Sequence, residues 1–150
     1  SADLELPDTG DSSEEGESAP HFDQLLVRVR DALGDDVAEV RASKRLTDSP
    51  CCVVTGQGLG TQLQKMLAMQ HDDFSMGKHT FELNPKHPFV RRLGELVPNP
   101  DNKTFIDECS RQLLANALLQ AGLAPKPEET IARTQQFMDE LAGGRASIVT

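Results

Sequence analysis

The sequence predicts an α+β fold, in which a small three-stranded sheet with packed helices is followed by a C-terminal helical hairpin. Three observations carry this. The short β-prone segments all lie before residue 84. The two longest stretches of helical apolar periodicity lie after residue 101. Strands and helices do not alternate as a doubly wound parallel sheet requires.

In order along the chain, the folded part is expected to begin near His21. Phe22, Leu25, Leu26, Val29 and Leu33 fall on one helical face, and Gly34 stands where a terminator belongs. Within Val37–Leu46 a half-buried strand is predicted over Glu39–Lys44. Thr47-Asp48-Ser49-Pro50 has turn chemistry, because Asp and Ser bond nearby backbone and Pro fixes its own φ. Cys51–Thr55 is a compact apolar run with β-branched residues and reads as a buried strand. Gly56-Gln57-Gly58 breaks it, and Leu59, Leu63, Met66 and Leu67 then form a helical stripe. After a polar loop over His71–Lys78, His79–Leu83 alternates as a third strand, closed by Asn84-Pro85. A short helix is expected within His87–Leu96, ended by Pro98 and Pro100.

The clearest elements come last. Asp101 or Asn102 can cap a helix running to about Ala121, with Gly122 at its end. Its apolar face comprises Phe105, Ile106, Cys109, Leu113, Leu114, Ala117, Leu118 and Ala121. Pro127 suits the first turn of a second helix, over 127–142. That helix carries Ile131, Thr134, Met138 and Leu141 at steps of three, four and three, with Phe137 alongside, and is expected to stop at Gly143-Gly144.

Composition divides the 150 residues unequally. Residues 1–20 hold seven acids and no Lys or Arg, so −7 of the net −9 sits there. Such a segment cannot bury enough apolar surface to offset chain entropy. The domain reading is therefore a disordered acidic linker (1–20), a folded domain (21–144) and a frayed tail (145–150).

Several function classes are not supported. Basic residues are scattered and Trp and Tyr are absent, which speaks against nucleic acid. No segment reaches the apolar length that spans a bilayer. Cys51 and Cys52 are adjacent in a strand and point to opposite faces, a poor arrangement for one tetrahedral metal. Cys51, Cys52 and Cys109 read instead as free thiols. His21, His71, His79 and His87 belong to no catalytic motif, so no enzyme activity, cofactor or metal is assigned to this chain. Gly56-Gln57-Gly58-Leu59-Gly60 lacks the spacing, the Lys-Ser/Thr and the βαβ context of a phosphate-binding loop.

Apolar surfaces remain. The hairpin has two stripes, and the second can be covered by the domain's own sheet or by another copy of the chain in a four-helix bundle. Periodicity does not choose between them. The stripe Leu59, Leu63, Met66 and Leu67 poses the same choice between core and surface. Met66, Met69 and Met76 add the adaptable side chains common on surfaces that accept varied apolar partners.

Ordered motifs bear a family likeness. They are Arg28-Val29 through Leu33-Gly34 with Val40-Arg41, then Arg45-Leu46-Thr47-Asp48-Ser49-Pro50, then Phe81-Glu82-Leu83-Asn84-Pro85 with His87-Pro88, and lastly the paired terminal helices. Together, over about Phe22 to Leu141, the chain resembles the C-terminal domain of the ninety-kilodalton heat-shock chaperone family, bacterial HtpG type. The resemblance implies the homodimerisation and client-contact domain of a cytoplasmic, ATP-dependent molecular chaperone active in the stress response. ATP and Mg would be bound in an N-terminal domain that this chain lacks. It implies a four-helix bundle in the dimer, with Leu113, Leu114, Ala117, Leu118, Ile131, Phe137, Met138 and Leu141 as interface candidates. It also implies that Leu59, Leu63, Met66 and Leu67 contact unfolded or partly folded client proteins. The alternative is a monomeric adaptor that uses the same stripe to bind one partner helix.

Overall fold

The computed structural model describes residues 18–45, 48–54 and 79–149, with side chains through 145. The predicted stripe of Leu59, Leu63, Met66 and Leu67 lies outside the described residues, as does the acidic segment up to residue 17.

Helix α1 spans Phe22–Leu33 and buries Leu25, Val29 and Leu33. His21 enters it with φ 53°, a left-handed conformation that side chains other than glycine rarely adopt. At the far end Gly34, at φ 54°, donates its N–H to the Arg30 carbonyl and opens a 3-10 turn over Gly34–Asp36. Three short strands follow: β1 (Glu39–Ala42), β2 (Cys51–Val54) and β3 (Thr80–Leu83). Their order is β1-β3-β2, with β1 parallel and β2 antiparallel to the central β3. The fold is α+β with a mixed sheet, as the sequence indicates.

Phe81 and Leu83 of β3 are fully buried, among core residues contributed by α1 and by the later helices. Glu82, between them in sequence, faces the opposite side of the sheet. There it lies level with Arg41 on one neighbour and Cys52 on the other. Its carboxylate accepts from Arg41 Nε at 2.9 Å and approaches Arg45 Nη2 at 3.5 Å.

The turn at Asp48-Ser49-Pro50 and the motif over residues 81–85 meet at Asn84, which is 3% exposed. Its backbone N–H donates to the Pro50 carbonyl at 2.8 Å and its side-chain amide to the Ser49 carbonyl at 3.1 Å. Its Oδ1 accepts from the Lys86 N–H at 3.0 Å. One asparagine thus ties the turn before β2 to the turn after β3.

Helix α2 (Pro88–Leu96) starts with Pro88 and is capped by His87, whose Nδ1 accepts from the Phe89 N–H at 3.0 Å. Gly94 lies on its buried face, where any Cβ would collide with the Pro20 carbonyl oxygen. Ala19, just upstream, is buried and donates its N–H to the Pro85 carbonyl at 2.8 Å. Packing therefore reaches two residues upstream of His21.

A 3-10 turn over Pro100–Asn102 leads to α3 (Lys103–Gln120). Asn102 does not cap α3 as expected; its side-chain amide donates to the Leu96 carbonyl at 3.0 Å and ties α3 to α2 instead. The end of α3 is closed by Gly122 at φ 81°. Leu123 N–H reaches the Leu118 carbonyl at 2.8 Å and Gly122 N–H the Leu119 carbonyl at 3.0 Å, the paired bonds of a Schellman ending.

Helix α4 runs from Pro127 to Val149, passing through Gly143-Gly144 instead of stopping there. Each mid-helix glycine costs only about 1 kcal/mol relative to alanine, too little to end a helix of this length.

Candidate functional site

Helix α3 is a core element over most of its circumference. Ile106, Cys109, Ser110, Leu113, Leu114, Ala117 and Leu118 are all buried. Cys51 Sγ of β2 lies 3.5 Å from the Leu113 carbonyl, which fixes how closely the sheet approaches the helix. Helix α4, in contrast, packs chiefly along α3 and contributes little to the core. Two contacts set the antiparallel register. Arg133 Nε donates to Gln112 Oε1 at 3.1 Å, and the Phe105 and Phe137 rings meet edge to face with centroids 6.2 Å apart.

The opposing residues of that register place Lys103, where α3 starts, level with roughly residue 139 of α4. The remaining turns of α4, which ends at Val149, run past the end of its mate by about 15 Å at 1.5 Å per residue. Residues 141–145 are all exposed.

This geometry sorts the eight predicted interface residues into three groups. Leu113, Leu114, Ala117 and Leu118 are turned into the chain's own core at 6%, 5%, 2% and 2% exposure. Phe137 is half-buried against Phe105. Ile131, Met138 and Leu141 are 68%, 56% and 66% exposed. At 3.6 residues per turn these last three share one stripe, turned roughly 90° away from the Arg133 and Phe137 face. Leu119, which the sequence reading passed over, is 57% exposed. Its spacing from Gln112 and Phe105 puts it on the α3 face nearest α4. Recognising it needed only the observation that it lies outside the arc of Leu113, Leu114, Ala117 and Leu118. The candidate site is therefore an uncovered apolar stripe on α4, with Leu119 near its base.

The thiols offer no competing chemistry. Burial, with Cys52 adding to it, pushes Cys51 up to about 12, and burial with nearby carboxylates pushes Cys109 up to about 11. Burial and then Glu82 raise Cys52 as well. All three are free cysteines and strongly favour the protonated, unreactive form at neutral pH. Among the described residues, no three or more His, Cys, Asp or Glu are placed to hold a metal ion, and no helix is long and apolar enough to cross a membrane.

Against known proteins, the family model described as Hsp90 protein matches residues 1–146. The chain belongs to the Hsp90 family. Among curated relatives of this Hsp90-family chain is the chaperone protein HtpG of Shewanella pealeana, 38% identical over 136 residues. That match covers 89% of this chain and 21% of the relative. The chaperone protein HtpG of Nitratidesulfovibrio vulgaris is 33% identical over 120 residues, 79% of this chain and 19% of the relative. The chain thus spans about a fifth of the length of these Hsp90-family relatives.

Proposed function

We propose that this Hsp90-family chain is the self-association and client-contact domain of a molecular chaperone, and that it dimerises through the α3–α4 hairpin. The observation that carries the reading is the exposed stripe of Ile131, Met138 and Leu141 on a helix that overhangs its own domain. Large apolar side chains lined up on one helix face are what a symmetric four-helix bundle buries. The names of the HtpG relatives supply the chaperone class. ATP-driven work belongs, in this reading, to parts of the chaperone other than these residues. Dimerisation would hold two such arms together and make their encounter intramolecular, at effective concentrations on the order of mM for short tethers.

Magnitudes say how robust this dimer is. Fully burying a side chain such as Ile, Leu or Met contributes roughly 1.5–3 kcal/mol. Two copies of the stripe thus supply on the order of 10 kcal/mol, against an association cost of about 4–15 kcal/mol. The stripe is decisive but leaves little margin, so Leu119 and Phe137 are expected to add to it. Sedimentation of the whole chain tests this. A dimer at tens of micromolar is expected, and a monomer at that concentration overturns the reading in favour of the adaptor. Client contact is assigned to Leu59, Leu63, Met66 and Leu67; charge substitutions there should weaken binding to an unfolded protein without altering dimerisation.

A further inference from the structure

The chain reaches α1 by a strained route. Ala19 is buried and donates its N–H to the Pro85 carbonyl at 2.8 Å, and the Pro20 carbonyl rests against Gly94 where a Cβ would collide. His21 then turns into the helix at φ 53°, ψ 33°, the only positive φ outside glycine among the described residues. Two histidines stand immediately before helices, and they differ. His87 is extended at φ −72°, ψ 136°, and its Nδ1 caps α2 by accepting from the Phe89 N–H. His21 makes no side-chain cap, so the first turn of α1 goes without one. A left-handed backbone and a forfeited cap both oppose this arrangement, which persists only because its surroundings hold it. Those surroundings are slight: one backbone hydrogen bond, the buried methyl of Ala19 and the fit of Pro20 to Gly94.

We propose that residues 18–21 are a releasable strap, seated on α2 and the turn after β3 in one state and detached in the other. Detachment breaks the Ala19–Pro85 bond and uncovers Gly94. It lets His21 take the extended conformation of His87, in which its ring accepts from the Asp23 N–H and caps α1. The seated state fixes the direction in which the upstream polypeptide leaves the domain, and the detached state frees it. Helix α1 stays in place in both, because Leu25, Val29 and Leu33 anchor it to the core. Weak contacts opposed by a strained turn put the detached state within reach of thermal population, as a minority of the molecules.

The test is native-state hydrogen exchange of the whole chain, followed by NMR at the Ala19 amide with the amides of buried Phe81 and Leu118 as references. Ala19 should exchange more slowly than an open chain yet faster than either reference, since its protection reports strap release and theirs reports unfolding. Gly94→Ala sets a methyl against the Pro20 carbonyl and should speed Ala19 exchange by roughly 10-fold, with the references still protected. His21→Gly removes both the strain and the alternative cap, and should slow it by roughly 5-fold. His21→Thr resists positive φ and caps well, so it should speed exchange by a similar factor. A general loss of stability would move Ala19 and the references together, and would slow exchange in no variant. Should Gly94→Ala unfold the domain, the two His21 variants decide the matter, because that side chain is exposed. Ala19 exchanging in step with the references, an unchanged rate in a folded Gly94→Ala, or faster exchange in His21→Gly would each overturn the proposal.

Discussion

Asn84 makes contacts that no other polar side chain could reproduce together. It needs a donor for the Ser49 carbonyl and an acceptor for the Lys86 N–H on one short side chain, and asparagine has both. Asn84→Ala leaves the Ser49 carbonyl and Lys86 N–H without their partner in a part-buried site, and should cost about 1–3 kcal/mol, read as a lower urea midpoint. The cysteines give a second prediction at this scale. An unfolded thiol releases its proton near 9.0, but Cys51 is held up to about 12 and Cys109 to about 11. Because the folded values are raised, the stabilising contribution is complete below about pH 9 and is lost as pH rises from 9 toward 12. Stability should therefore fall over that interval by at most about 1.4 kcal/mol per pH unit for each thiol. Cys51→Val should flatten the fall; an unchanged slope in denaturant titrations at pH 8 and above would show that the burial of Cys51 is not what drives it.

At the scale of elements, α3 and α4 look alike in sequence and differ in role. Leu118→Asp places a charge in the chain's own core and should unfold the monomer. Met138→Asp and Leu141→Asp sit on exposed positions, so they should keep the far-ultraviolet circular dichroism and melting of a folded monomer while abolishing the dimer. Retention of the dimer in both would remove the stripe from the interface. Periodicity made each of these helices legible, together with α1, α2 and all three strands, because apolar spacing and turn residues are local signals. It could not say which neighbour covers a stripe, since that depends on how the sheet approaches α3. The interface candidates that the resemblance implies therefore divide, with Leu113, Leu114, Ala117 and Leu118 inside the chain's own core and Ile131, Met138 and Leu141 outside it. The end of α4 departs from the sequence expectation for a related reason. Gly143-Gly144 looks like a terminator, but in α4 neither glycine has a left-handed φ and a Cβ on either would meet nothing within 4 Å.

Considered whole, the molecule has two ends with different attachments. The upstream chain is seated at the sheet end, where Ala19 bonds to Pro85 and the Pro20 carbonyl fills the notch left by Gly94. Replacing that glycine with any larger residue would push the strap off α2. The hairpin's α3 begins beside the end of α2, where Asn102 bonds to the Leu96 carbonyl, and α4 connects to the remainder chiefly through α3. A pull arriving along the upstream polypeptide would thus be taken first by the loop after β3 and by α2. From α2 it would pass through the Asn102–Leu96 bond to the start of α3, the level beyond which α4 extends. Tension on the upstream segment and the position of the overhanging turns are thus joined by one short turn and one side-chain bond, with no flexible spacer to absorb the force.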